Sequence, residues 1–163
     1  MIKKSVFFVL FFQSAFAISA ESIGDWTVSK ELKGWQFANT TNLEGSSTGV
    51  VCSTSENTCN SYIGLNANCD VGNKYPMMIN SSVGAFVIFT TCVQIGNVKF
   101  YFIDDFDSAK SAFESGGEIG FAIPLQNGNF RSIRFSTKGA TASIKNAMTI
   151  PSPTPSKQSD YQF

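Results

Sequence analysis

Histidine is missing from all 163 residues. That absence removes the commonest general base near neutral pH, every histidine-dependent triad and every histidine-ligated zinc site. Charge is sparse and balanced, with twelve Lys and Arg against twelve Asp and Glu. No net field exists to gather nucleic acid or an anionic membrane. Serines and threonines are many, but nothing activates one, and no Ser-x-x-Lys spacing occurs. No Cys-x-x-Cys pair is present, which argues against redox chemistry and against zinc. No glycine-rich loop follows a strand to cradle phosphate. The composition names no catalytic residue, cofactor or metal, and the expectation is a protein that is not an enzyme.

After residue 20 no apolar run is long enough to span a bilayer, so no transmembrane segment is expected in the mature chain. Residues 1–20 read as an export signal. Lys3 and Lys4 supply the positive end, an apolar stretch covers 6–12, and small residues allow cleavage after Ala17 or Ala20. Residues 21–150 then form one domain, and the Pro- and Ser-rich stretch 151–163 reads as a disordered tail. That tail ends in Tyr161-Gln162-Phe163, a weak match to a carboxyl-terminal recognition tag.

Export gives the four cysteines a meaning. Cys52, Cys59, Cys69 and Cys92 all fall in the mature part. In an oxidising compartment an even set favours two disulfides. Three connectivities are open, and the favoured one, Cys52 with Cys59 and Cys69 with Cys92, brackets one turn with each bridge. Each bridge is expected to stabilise by about 2–4 kcal/mol.

Strand signals dominate. Strands are expected over 23–28, 34–40, 50–52, 62–65, 75–79, 85–89, 98–103, 119–125 and 130–135, the last two joined by Asn127-Gly128 as a type I′ hairpin. Trp35 and Phe37 alternate with polar neighbours in the second of these. The run 98–103 is apolar enough to be buried on both faces or covered by a helix. One helix is expected over 104–115, capped by Asp104 or Asp105, and a short one over 139–148, capped by Ser136 or Thr137. No βαβ alternation appears. The fold class is therefore mainly β: an antiparallel β-sandwich or barrel with one or two short helices, stapled by disulfides.

Few residues qualify as interaction candidates. Asp104, Asp105 and Asp107 form the only acidic cluster, which lacks calcium-loop spacing and reads first as a helix start. Arg131 and Arg134 sit three apart on a strand, so they face opposite ways and suit a solvated edge better than one anion site. Trp35 is the aromatic singled out for an exposed contact, although aromatics at period-two spacing are more often core.

Two segments carry a resemblance: Gly24-Asp25-Trp26-Thr27-Val28, and Gly120-Phe121-Ala122-Ile123-Pro124-Leu125 with Ser136-Thr137-Lys138-Gly139-Ala140. Together with the export signal and the chain's size, they resemble the invasion-associated locus B family of exported bacterial proteins. That family usually has a cysteine soon after the first strand, where Ser29 stands here. The resemblance implies a small β-rich protein, periplasmic, outer-membrane-associated or secreted, linked to colonisation of host cells, with no catalytic residues to carry over. The expected function is thus a non-enzymatic exported binding protein whose partner is a protein or envelope component. Two alternatives stand beside it. One is an inhibitor of an extracellular hydrolase such as lysozyme, acting through the loop 53–58. The other is a carboxylate-dependent glycosidase using Asp104, Asp105, Asp107 or Glu118.

Overall fold

The computed structural model describes residues 20–32, 34–65, 67–125 and 128–149. Residues 1–19 of the export signal and the tail with Tyr161-Gln162-Phe163 lie outside these residues, as does Asn127 of the expected hairpin turn. Ten antiparallel strands form one sheet, in the order β1-β2-β3-β4-β5-β8-β7-β6-β9-β10. They are β1 (Ala20–Ile23), β2 (Trp26–Leu32), β3 (Trp35–Thr41), β4 (Ser47–Ser53), β5 (Thr58–Gly64), β6 (Lys74–Ser81), β7 (Gly84–Ile95), β8 (Val98–Ile103), β9 (Glu118–Pro124) and β10 (Phe130–Ser136). The sheet curls into a half-barrel, the barrel branch of the expectation. Helix α1 (Phe106–Glu114) follows β8 and helix α2 (Ala140–Met148) follows β10. Those two strands run the same way, so both helices leave from one end of the sheet and pack on its inner face.

The inner face is built by alternation. Trp26 and Val28, Met77 and Ile79, Ile119 and Phe121, and Ile133 and Phe135 point inward and meet Ala109, Phe113, Ile144 and Ala147 of the helices. Trp26 touches Phe113 edge-on, with ring centroids 5.6 Å apart. Each fully buried aromatic or branched aliphatic side chain contributes about 1.5–3 kcal/mol by leaving water.

Several local expectations are corrected. The stretch 23–28 is not one strand, because Gly24 adopts φ +62° and turns the chain into a β1–β2 hairpin. In β3 the alternation is inverted: Gln36, Ala38 and Thr40 are buried, while Trp35 and Phe37 lie half-buried on the outer face. Phe37 is held there by an outer aromatic row, edge-on to Tyr62 at 6.1 Å, with Phe100 5.1 Å beyond. Strand β4 starts at Ser47, three residues earlier than expected, and the Thr48 hydroxyl donates to the Tyr62 carbonyl across the hairpin. Strand β8 is not covered on both faces: Val98 is exposed and Phe100 and Phe102 are half-buried.

Asp105 caps α1 as expected, accepting from the Ser108 amide. Helix α2 has no side-chain cap. Gly139 occupies that position, while the Ser136 hydroxyl binds Asp25 and the Thr137 hydroxyl donates to the Gly117 carbonyl.

Candidate functional site

Four places concentrate chemistry or exposed apolar surface. The first is the seam where the curl fails to close, between β10 and the end of β3. A clasp bridges it. The Asp25 amide donates to the Lys138 carbonyl at 2.9 Å, Trp26 Nε1 donates to the Ser136 carbonyl at 2.9 Å, and the Ser136 hydroxyl donates to the Asp25 carboxylate at 2.6 Å. The backbones meet so closely that a Cβ on Gly139 would lie 1.8 Å from the Ile23 carbonyl oxygen, and one on Gly24 would lie 2.5 Å from that of Lys138. Only glycine fits such an approach. Beside the clasp runs an open groove of about 870 Å³ with mixed walls, Thr40, Glu44, Glu118 and Arg134 among them.

The second place is the outer face of β6, β7, β9 and β10. Register sets Phe130 opposite Pro124, Met78 opposite both Ala122 and Val87, and Pro76 opposite Phe89. Phe130 is 64% exposed, Val87 63%, Phe89 55% and Met78 40%. Together these side chains present on the order of 400–500 Å² of apolar surface, within the range of the largest patch on a typical monomer, which is often functional. No charged side chain lies within this set. Sequence reasoning missed it, since no single strand shows which others will lie beside it; the available signal was the apolar character of both faces in 75–79 and 85–89.

The third place is the acidic stretch. Asp104 accepts from Lys74 Nζ at 2.6 Å and from the Thr91 hydroxyl at 2.8 Å. The Lys74 hydrogen bond, which outweighs a small desolvation, holds its carboxyl below the usual carboxylate range. Asp105 is lowered as well, first by the Ser108 hydroxyl and then by the Ser108 amide. Asp107 lies in the first turn of α1. Glu118 is far along the chain, 3.6 Å from Arg134. A general acid needs a raised pKa; Asp104 and Asp105 are lowered instead, and Glu118 is an ion-pair partner. Arg131 and Arg134 do point to opposite faces, Arg131 pairing with Glu44 at 3.3 Å. Among the described residues, no group of His, Cys, Asp and Glu converges as metal ligands would.

Gly45-Ser46-Ser47-Thr48-Gly49 has the Gly-x-Ser-x-Gly spacing of hydrolase nucleophiles. It enters a strand instead of joining a strand to a helix, and a buried tyrosine, Tyr62, hydrogen-bonds to Ser47. Burial pushes the Tyr62 hydroxyl's pKa up, although Ser47 and Asn39 act against it.

The fourth place is the β4–β5 turn at 54–57. The Cys52–Cys59 bridge closes it, and Thr54 ties it to Gly34 through both its amide and its hydroxyl. The second bridge joins Cys69 to Cys92, so both favoured pairings are formed.

No family model matches the chain, and no curated protein does. Among solved structures, invasion associated protein B from Bartonella henselae superposes with a TM-score of 0.56 over 80% of this chain and 96% of that one. In fold, this chain is similar to that protein. Identity is 14%, so the likeness concerns the fold. The structure adds a reason for the sequence resemblance. Parts of the two segments that carry it, Gly24-Asp25-Trp26 and Ser136-Thr137-Lys138-Gly139, are 110 residues apart and meet in the clasp. Their residues bridge the seam of the half-barrel, and Asp25 and Ser136 also line the groove beside it. Among the described residues, no helix is long and apolar enough to cross a membrane.

Proposed function

We propose that this chain is an exported, non-enzymatic binding protein that engages a protein or envelope component outside the cytosol. The observation that carries the proposal is the uncharged apolar outer face centred on Met78, Val87, Phe89 and Phe130. A surface of that kind is typical of a contact site and costly to keep in water. Two disulfides, of the kind that persist in oxidising compartments, support export, and so does the fold shared with invasion associated protein B. The carboxylates support the non-enzymatic part, since Asp105 serves as a cap and Asp104 and Glu118 are held in ion pairs.

The test is affinity capture from a cell-envelope extract with the oxidised mature protein and with the double variant Val87→Glu, Phe89→Glu. Both substitutions are on an exposed face and leave the core intact. A discrete partner held by the parent and lost from the variant supports the reading; a partner retained equally by both refutes the assigned face.

The rigid turn at 54–57 favours a second reading, inhibition of an extracellular hydrolase by an inserted loop. Ser55, Glu56, Asn57 and Thr58 are exposed on a turn braced by a disulfide. Lysozyme activity unaffected by a molar excess of the protein would dismiss that reading for lysozyme.

A further inference from the structure

The end of the half-barrel opposite the helices is open, and its mouth holds a pocket that the proposed function does not use. The cavity measures about 360 Å³ and is lined mainly by apolar side chains, with Leu65, Tyr75, Met77, Tyr101, Ile123 and Arg131 forming its floor and walls. Barrel mouths of this size and lining are places where small molecules bind. Tyr75 and Tyr101 meet edge-on at 5.4 Å and form one wall. The Tyr75 hydroxyl is already used, accepting from the Asp70 amide. Tyr101 is largely buried, but its hydroxyl keeps contact with solvent and has no hydrogen-bond partner among the described residues. That hydroxyl is free to bind a ligand in place of water.

Arg131 stands at the rim. Its ion pair is a single 3.3 Å contact to Glu44, whose side chain is 65% exposed. Such a pair contributes little, and a guanidinium has five donors to offer. Two polar groups can thus act on the cavity: the Arg131 guanidinium, which only donates, and the Tyr101 hydroxyl, which can donate beside it. They ask for an acceptor on a ligand whose remaining body is apolar.

We infer that the barrel mouth is a binding site for a small amphiphilic monocarboxylate: an apolar body of about a dozen non-hydrogen atoms lies on Met77, Ile123 and the tyrosine rings, and its carboxylate faces Arg131 and Tyr101. Glu44 is the carboxylate that the ligand displaces. Desolvation of the chain drives entry, and the charge-assisted fork at Arg131 sets the preference for an anion. The site is independent of the apolar outer face, so either assignment stands if the other falls.

The experiment titrates decanoate and decanol into the oxidised mature protein by calorimetry, below their aggregation concentrations. Decanoate is expected to bind saturably below millimolar and at least fivefold tighter than decanol. Tyr101→Phe keeps the ring and should weaken decanoate about tenfold, the size of one hydrogen bond to a charged group. Arg131→Gln should bring the two probes to equal affinity. Met77→Trp fills the cavity and should abolish both; Tyr101→Phe and Arg131→Gln decide the matter should that variant not fold. No saturable binding of decanoate would overturn the site. Binding unchanged by Tyr101→Phe, or a decanoate preference surviving Arg131→Gln, would overturn the assigned chemistry.

Discussion

Replacing Gly139 by alanine tests the clasp where the backbone leaves least room. Gly139 sits at φ +94°, a conformation that costs an L-residue about 1–2 kcal/mol. The added methyl would lie 1.8 Å from the Ile23 carbonyl oxygen, far inside ordinary contact, so one backbone must retreat from the other. That retreat breaks the hydrogen bond from the Asp25 amide to the Lys138 carbonyl and loosens the one from Trp26 Nε1 to Ser136. Two such bonds contribute about 0.5–1.5 kcal/mol each. The whole effect is then about 2–5 kcal/mol, a large share of a typical domain's stability. Gly116→Ala is the matched control: φ is +82° and the methyl meets open space, so it should cost only about 1–2 kcal/mol. Urea unfolding of the oxidised protein, followed by tryptophan fluorescence, reads both, and Trp26 reports from within the clasp. If the two variants lose the same stability within about 0.5 kcal/mol, the uncertainty usual for such comparisons, the close-approach argument is wrong.

Other consequences can be measured with the same material. Asp105→Ala removes the α1 cap and should cost about 1 kcal/mol, which Asp105→Asn largely spares. The Asp104 carboxyl is held low in the folded state, so its contribution is present above the unfolded pKa and fades as pH falls through the folded one; Asp104→Asn should flatten that acid limb slightly, because the Lys74 pair is exposed and screened. A loop-entropy argument gives the Cys69–Cys92 bridge, which spans 23 residues, about 1 kcal/mol more stabilisation than Cys52–Cys59, which spans 7. Paired Cys→Ser variants compared by urea midpoint check that order.

Local chemistry was legible in the sequence where one segment carries its own signal. The β9–β10 alternation, the Asp105 cap and the two turns bracketed by cysteines are of this kind. What depends on distant neighbours was not. Nothing near Phe37 shows that Tyr62, backed by Phe100, will hold it on the outer face. Gly24-Asp25 reads as the middle of a strand until Lys138 and Gly139 arrive from the other end of the chain. The apolar outer face and the barrel-mouth pocket exist only because β6 pairs with β9, a register that no single stretch encodes.

The most direct test of the account is one intact-mass measurement on native protein treated with an alkylating agent without prior reduction. The account predicts a chain beginning after Ala17 or Ala20, no alkylated thiol, and, on digestion, linked peptides joining Cys52 to Cys59 and Cys69 to Cys92. A chain that retains its first seventeen residues and carries four alkylated cysteines would contradict it.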